Sequence, residues 1–303
     1  MKWNEAAEYW AFRGAVGSLS RLPERWSLRL CRRAGWLAGP VLGIRKQVVR
    51  RQLAAVYPAR TEAEILDLTG RVYAHLGQTV AETFCTEPSR LSARVAVEPG
   101  WSALDKAMAD GRGVLAVTAH LGNFELGGRI LAARYPVLDV VKPLHNSQFD
   151  GYLQRQRAGH GIKTVPMDES GRAVLTHLRR GGLVTLLGDQ DAGGEGVRTD
   201  FLGLPASTWP GAARLALRTG CPVVPLAILR QADGQHVLHI AEPLAVTGLT
   251  TATEDVALLT ARISRAVEKF IWDRPEQWFW VHRRWKGAAE AKQISRETET
   301  KRI

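Results

Sequence analysis

The chain is poor in cysteine, with only Cys31, Cys85 and Cys221 in 303 residues and no C-x-x-C pair. That excludes a disulfide framework and a cysteine zinc site, and reads as buried thiols in a reducing compartment. Long apolar runs are missing as well. The uncharged stretch 34–44, AGWLAGPVLGI, comes to eleven residues and contains Pro40, against the roughly eighteen that a spanning helix needs. Glu5, Glu8 and Arg13 interrupt the apolar core that a signal peptide requires. No G-x-S-x-G elbow, P-loop or G-x-G-x-x-G turn occurs; the glycine-rich 192–196 fits none of them and reads as a flexible loop.

Acidic residues are scarce where basic ones are dense. The net charge is +11 and the pI about 10.0. In residues 1–60, twelve Lys and Arg face only Glu5, Glu8 and Glu24, so most of the excess lies there. Trp3, Tyr9, Trp10, Phe12, Trp26 and Trp36 are interleaved with them. Basic residues and interfacial aromatics on helical segments describe monotopic helices lying in an anionic membrane surface. A basic helical pair packed on the domain is the alternative. A nucleic-acid partner is not expected, because no RNP sequence or paired Cys/His module accompanies the charge. The remaining composition, 45% apolar and 23% charged, is that of an ordinary globular protein with one large or two modest domains.

Four regions are predicted: basic amphipathic helices over 1–60, a helical connector over 61–98, a catalytic domain over 99–286 and a polar tail over 287–303. Thr61 with Glu64 three residues on is a capping box for a helix running to Phe84. Beyond Pro99-Gly100, strands at 114–117, 136–141, 164–166, 183–187, 223–229 and 236–240 alternate with helices at 101–110, 125–131, 147–158, 170–178, 211–218 and 257–271. The segment 201–210 reads as a loop into the helix at 211–218. This alternation gives an α/β fold with a central sheet flanked by helices.

The organising stretch is VLAVTAHLGNFELGG, residues 114–128. Its apolar start is a buried strand, and His120 lies at that strand's C-terminal end, the edge where open α/β sheets bind ligands. Gly122-Asn123 makes a turn, and Glu125 stands in the first turn of the next helix. Such a corner can bring His120 and Glu125 together as a base and its acidic partner, able to take a proton from a hydroxyl that attacks an acyl group. The alternative is a core histidine beside a surface glutamate. Among eight histidines the spacing recurs at His145-Asp150, so spacing alone does not choose. The closing PEQWFWVHRRWK places Trp278, Trp280 and Trp285, with Trp272 just before them, near Arg283, Arg284 and Lys286. That cluster suits a headgroup or phosphate, or else core tryptophans with a solvated basic edge.

Four blocks in order resemble the lipid A biosynthesis acyltransferases, the lauroyl and myristoyl transferases of the glycerolipid acyltransferase-like group. They are HLGNFE at 120–125, KPLHNSQFD at 142–150, the run from GDQDAGGEG at 188–196 to FLGLPASTWPGAARLALRTGCPVVP at 201–225, and the closing tryptophan block. The resemblance implies acyl transfer from an acyl carrier protein or coenzyme A thioester to a glycolipid hydroxyl, with no metal and no other cofactor. It implies a lipid A precursor as acceptor, at the cytoplasmic face of the bacterial inner membrane, with a phosphatidylinositol mannoside or other glycolipid as the alternative. An F-P-E-G-T-like block, expected of glycerophospholipid enzymes, is missing. An inactive membrane- or nucleic-acid-binding protein is the reading from another class, and the intact His120-Glu125 pair argues against it. By this resemblance His120 is the catalytic base and Glu125 its partner. Lys142, where the family usually has Arg, and Asn123 are expected at the oxyanion or donor. Asn146, Asp150, Asp189, Gln190, Arg198, Arg283 and Arg284 are substrate-binding candidates, and His145 is incidental.

Overall fold

A computed structural model describes residues 3–286; the tail expected over 287–303 lies outside the described residues. Three helices come first: α1 (Trp3–Leu19), α2 (Glu24–Trp36), then a π-turn at Leu37–Val41, and α3 (Lys46–Val56). Next come α4 (Glu62–Phe84), α5 (Pro88–Ser92), β1 (Val95–Glu98), α6 (Ser102–Ala109), β2 (Val114–Thr118), α7 (Phe124–Ala132), β3 (Val137–Val141) and α8 (Ser147–Gly159). The chain continues with β4 (Ile162–Pro166), α9 (Ser170–Arg179), β5 (Leu183–Leu187), β6 (Val197–Phe201), β7 (Leu204–Thr208), α10 (Gly211–Thr219), β8 (Val223–Arg230), β9 (His236–Ile240) and α11 (Thr253–Asp273).

Seven strands form one sheet in the order β1-β9-β8-β2-β5-β3-β4, with β6 and β7 as a separate antiparallel ribbon. From β8 to β4 neighbouring strands run parallel, while β9 runs antiparallel to β8. Helices cover both faces, so β2 is buried along its whole length rather than alternating. Its Leu115 and Val117 pack into one core with α4, α10 and α11, and its Val114 and Ala116 into another with α6 and α7. The predicted α/β sheet flanked by helices is the observed architecture.

Local signals behave as their chemistry requires. Thr61 and Glu64 form the capping box that starts α4, each satisfying the other's backbone N–H. The 201–210 segment differs from expectation: residues 201–208 belong to the β6-β7 hairpin, turned at Leu202 (φ 50°) and Gly203 (φ 77°). Two successive positive φ angles make a hairpin turn whose usual signature is Asn-Gly, so Leu-Gly gave no signal. Strand β1 was also unmarked, being four residues long at the sheet edge.

The N-terminal helices are fastened to the rest through α4. A Cβ built on Gly35 of α2 would lie 2.3 Å from the carbonyl oxygen of Tyr73, and one on Gly77 of α4 would lie 2.0 Å from that of Cys31. The two backbones therefore touch, and only glycine permits the crossing. Among the described residues no helix is long and apolar enough to cross a membrane. Gly77→Ala should destabilise the protein by about 2 kcal/mol or more through overpacking, measured as a lowered urea midpoint with an unchanged slope.

Candidate active site

Strands β2 and β5 are adjacent and parallel, with Thr118 opposite Leu187. Two residues further along each strand stand His120 and Asp189, so register alone brings them face to face. The contact is direct. Asp189 Oδ1 is 2.9 Å from His120 Nδ1, and Asp189 Oδ2 accepts from the His120 backbone N–H at 3.0 Å. The indole N–H of Trp278 donates to the same Oδ2 at 2.8 Å. Asp189 is 2% exposed, so these donors replace its water.

An ionised carboxylate only accepts, so Nδ1 carries the hydrogen and Nε2 is left as the basic nitrogen. Burial opposes the imidazolium, but the charge of Asp189 and its hydrogen bond outweigh burial and hold the His120 pKa above the ordinary imidazole value. Burial also opposes ionisation of Asp189, and there the charge of His120 with the bonds from His120 and Trp278 wins, holding its pKa low. The pair stabilises the fold above the ordinary aspartate range and loses that contribution as pH rises through the raised His120 value. Phe124 and Phe279 flank the imidazole, with ring centroids at 5.2 and 6.0 Å.

Among the described residues His120 and Glu125, expected as partners, make their hydrogen bonds to other groups. Glu125 is taken by Arg157 of α8, whose Nη2 reaches Oε1 at 2.5 Å and whose Nε reaches Oε2 at 3.1 Å. The carboxylate is half-buried, and the fork matches it bidentately. Close behind, on β3, is Asp139, which accepts from the Thr185 hydroxyl. Burial pushes its pKa up to about 6, with Arg157 opposing and Glu125 adding to the rise.

The turn between β2 and α7 is held from beneath. Gly122 has φ 61°, and a Cβ there would lie 1.7 Å from the carbonyl oxygen of Ile228. Its N–H donates to the Gln277 carbonyl at 3.0 Å. Asn123 is fully buried; its Oδ1 caps α7 at the Leu126 N–H, and its Nδ2 donates to Glu82 at 3.1 Å. Glu82 of α4 also takes Arg230 Nε at 2.7 Å and Nη2 at 2.5 Å, and lies 3.2 Å from His236 Nε2. Burial alone raises Glu82, but the bonds from His236 and Arg230 outweigh it and lower its pKa to about 2. His75 accepts from Arg230 Nη1 at 2.6 Å, and burial followed by that charge depresses its pKa to about 3, so it is neutral.

Several other expected site residues make structural contacts. Asn123 is a buried cap. Asn146 caps α8 through the N–H groups of Gln148 and Phe149, and Asp150 accepts the Leu144 N–H at 3.0 Å. Both fix the loop that carries Lys142, which is exposed. Arg284 is fully buried: it donates to the carbonyls of Ser207 and Gln190 and to Thr208, and covers the Phe201 ring at 4.6 Å. Burial lowers its pKa to about 10. Trp278 and Trp280 are core side chains, so this part of the closing block is a packed strap. Gln190 contributes its backbone carbonyl, whereas Arg198 and Arg283 are exposed. His145 is exposed and faces Glu5 rather than Asp150.

Sequence reasoning missed Arg157, Glu82 and Arg230. Arg157 falls on the apolar stripe of Phe149 and Leu153 at four-residue spacing, and Glu82 continues the α4 stripe that begins with Ile65, Leu68 and Val72. A charge on an apolar stripe is the one local signal either gives.

The sequence profile described as bacterial lipid A biosynthesis acyltransferase matches residues 3–287. A lipid A biosynthesis palmitoleoyltransferase of Escherichia coli is 27% identical over 259 residues, 84% of this chain and 83% of its own. A lipid A biosynthesis lauroyltransferase of the same organism is 27% identical over 287 residues, 93% of this chain and 92% of its own. A phosphatidylinositol mannoside acyltransferase of Mycolicibacterium smegmatis is 24% identical over 248 residues, 78% of each.

Two measurements check the site without turnover. The His120 imidazole resonance should titrate above the ordinary range, and Asp189→Asn should move its midpoint down; an unmoved midpoint contradicts the pairing. Glu82→Ala strands Arg230 in the core and should cost about 3–5 kcal/mol in chemical denaturation.

Proposed function

The chain belongs to the bacterial lipid A biosynthesis acyltransferase family and is a glycolipid O-acyltransferase, and from that premise we propose that His120 is its general base, held by Asp189. The single observation that carries the reading is the His120-Asp189 bond, which fixes the tautomer and turns Nε2 outward. The reaction begins with an acceptor hydroxyl hydrogen-bonded to Nε2. As its oxygen attacks the thioester carbonyl carbon, its proton passes to Nε2, and Asp189 stabilises the imidazolium. The tetrahedral oxyanion meets the N–H groups at the start of α7 and the positive charge of Arg157, which Glu125 holds in place. When the C–S bond breaks, His120 returns the proton to the departing thiolate. The ester forms, the thiol leaves, and no covalent enzyme intermediate is needed.

Glu125 thus keeps a place in the site, as the anchor of Arg157 rather than the partner of His120. Exposed Lys142 remains available to the phosphates of a coenzyme A donor or to an acidic carrier protein, and Arg198 and Arg283 to the acceptor. The acceptor we infer is a lipid A precursor, at the cytoplasmic face of the inner membrane. Exposed Trp10, Trp26, Leu37, Val41 and Leu42 beside the arginines of α1 and α2 support peripheral association there. The mannoside acyltransferase relatives favour a second reading, the same chemistry on another membrane glycolipid.

Labelled acyl transfer from carrier-protein and coenzyme A thioesters to lipid A precursors and to phosphatidylinositol mannosides tests both. One acceptor should be acylated, with the rate rising as pH passes through the raised His120 value. His120→Ala should abolish transfer. Asp189→Asn should cost on the order of 10³-fold or more, as loss of the tautomer-holding carboxylate does elsewhere. An Asp189→Asn enzyme as active as wild type would sink the mechanism, and transfer to neither acceptor would sink the substrate assignment.

A further inference from the structure

Away from the His120 site, an open cleft of about 720 Å³ lies between α2, the π-turn, the start of α3 and the middle of α4. Arg29, Arg32, Arg33, Lys46 and Arg71 line it, against a single carboxylate, Asp67. That carboxylate is taken by Arg71 at 3.0 Å. Among the described residues no carboxylate pairs with Arg29, Arg32, Arg33 or Lys46, so four positive charges converge on one cavity. Lys46 is steadied by the Pro40 carbonyl at 2.8 Å, and the arginines of α2 are fixed relative to α4 by the glycine crossing. The cleft is built, not a loose scatter of surface charge.

One rim of the cleft is apolar. Trp36 forms part of the wall, and the turn that follows projects Leu37, Val41, Leu42 and Ile44, with Leu42 72% exposed. The turn closes at Arg45, a non-glycine residue at φ 52° whose guanidinium donates to the Val281 carbonyl at 3.2 Å. Bulky apolar side chains held in water next to arginines that no carboxylate neutralises, one of them, Arg29, stacked on the Trp26 ring at 5.6 Å, match the boundary between lipid headgroups and acyl chains.

We propose that this cleft binds the phosphate of an anionic lipid headgroup while the apolar turn 37–44 enters the acyl layer beside it. The proposal rests on the membrane-associated reading above and deepens it, replacing diffuse attraction by a defined site. Arginine forks suit phosphate oxygens bidentately, and the volume accommodates a headgroup. A carrier protein would meet the same charge, but it would have to cover the exposed apolar turn as well. The strap links cleft and catalysis: Gln52 of α3 donates to the carbonyls of Trp280 and His282, the segment that also supplies Trp278 to Asp189. A lipid seated in the cleft would therefore fix how the strap side of the protein meets the membrane.

The test is flotation of the full chain with phosphatidylcholine vesicles, with and without phosphatidylglycerol. Arg29→Gln/Arg32→Gln/Arg33→Gln is compared with the charge-matched control Arg172→Gln/Arg179→Gln/Arg180→Gln on α9 and at its C-cap. The cleft triple should lose at least about tenfold in affinity for the anionic vesicles, and the control less than about threefold. His120→Ala should bind like wild type, so failure of the acyl-transfer reading leaves this result untouched. Calorimetry with a short-chain phosphatidylglycerol and with inorganic phosphate separates the sources. Binding of the lipid, with or without phosphate, supports the site, whereas phosphate binding alone overturns the lipid assignment. Equal loss in both triples overturns the cleft in favour of general attraction. Unchanged vesicle binding with a raised KM for the acyl carrier protein thioester overturns it in favour of the carrier. Should the triple unfold, single Arg32→Gln and Arg33→Gln variants carry the comparison, each expected to lose part of the affinity.

Discussion

The site depends on one buried carboxylate. Asp189 has almost no water, and its oxygens take donors from two positions on His120 and from Trp278. Three segments far apart in sequence, the ends of β2 and β5 and the closing strap, are thus joined at two oxygen atoms. An acceptor-only group in that position can be satisfied only if all three arrive in place. Its desolvation cost also makes it a strong partner for an imidazolium, since little solvent is present to screen the attraction.

Around it the fold repeats one solution to the problem of burying charge. His120 faces Asp189, Arg157 faces Glu125, and Arg230 faces Glu82, each acid with a base at hydrogen-bond distance. The pairs differ in solvent exposure and hence in what they can do. The Glu82 pair is almost wholly enclosed, and its neutral His75 neighbour adds no charge, so it serves as foundation. The Glu125 pair and His120 are partly open, so they can meet a substrate. Asn123 connects the layers by capping α7 with one end of its amide and reaching Glu82 with the other.

Much of this was legible in the sequence, within definite limits. Strand β5 and the α4 capping box were readable because apolar runs and caps are local signals. His120 was readable for the same reason, standing at the end of an apolar run. Its partner was not, because partnership here is set by strand adjacency: β2 and β5 are neighbours in the sheet although 69 residues separate His120 from Asp189. The polar ending of 183–187 was visible, but nothing local said which other strand end it faced. Arg284 misled for the opposite reason. In a basic, tryptophan-rich stretch it reads as surface, whereas carbonyls of the β6-β7 ribbon and the Phe201 ring allow it to be buried.

The glycine crossing between α2 and α4 has a practical side. Helix α4 is 23 residues long, and at 1.5 Å per residue it extends about 34 Å. It meets α2 on one stretch and the catalytic turn on another. A shortened protein starting near residue 60, made to remove the greasy and basic leading helices, would strip cover from Gly70, Tyr73 and Gly77. It would gain polar surface at one place and bare a backbone-lined furrow at another. Better handling would come from replacing Leu37, Val41, Leu42 and Ile44 with polar residues while keeping α2 in its seat.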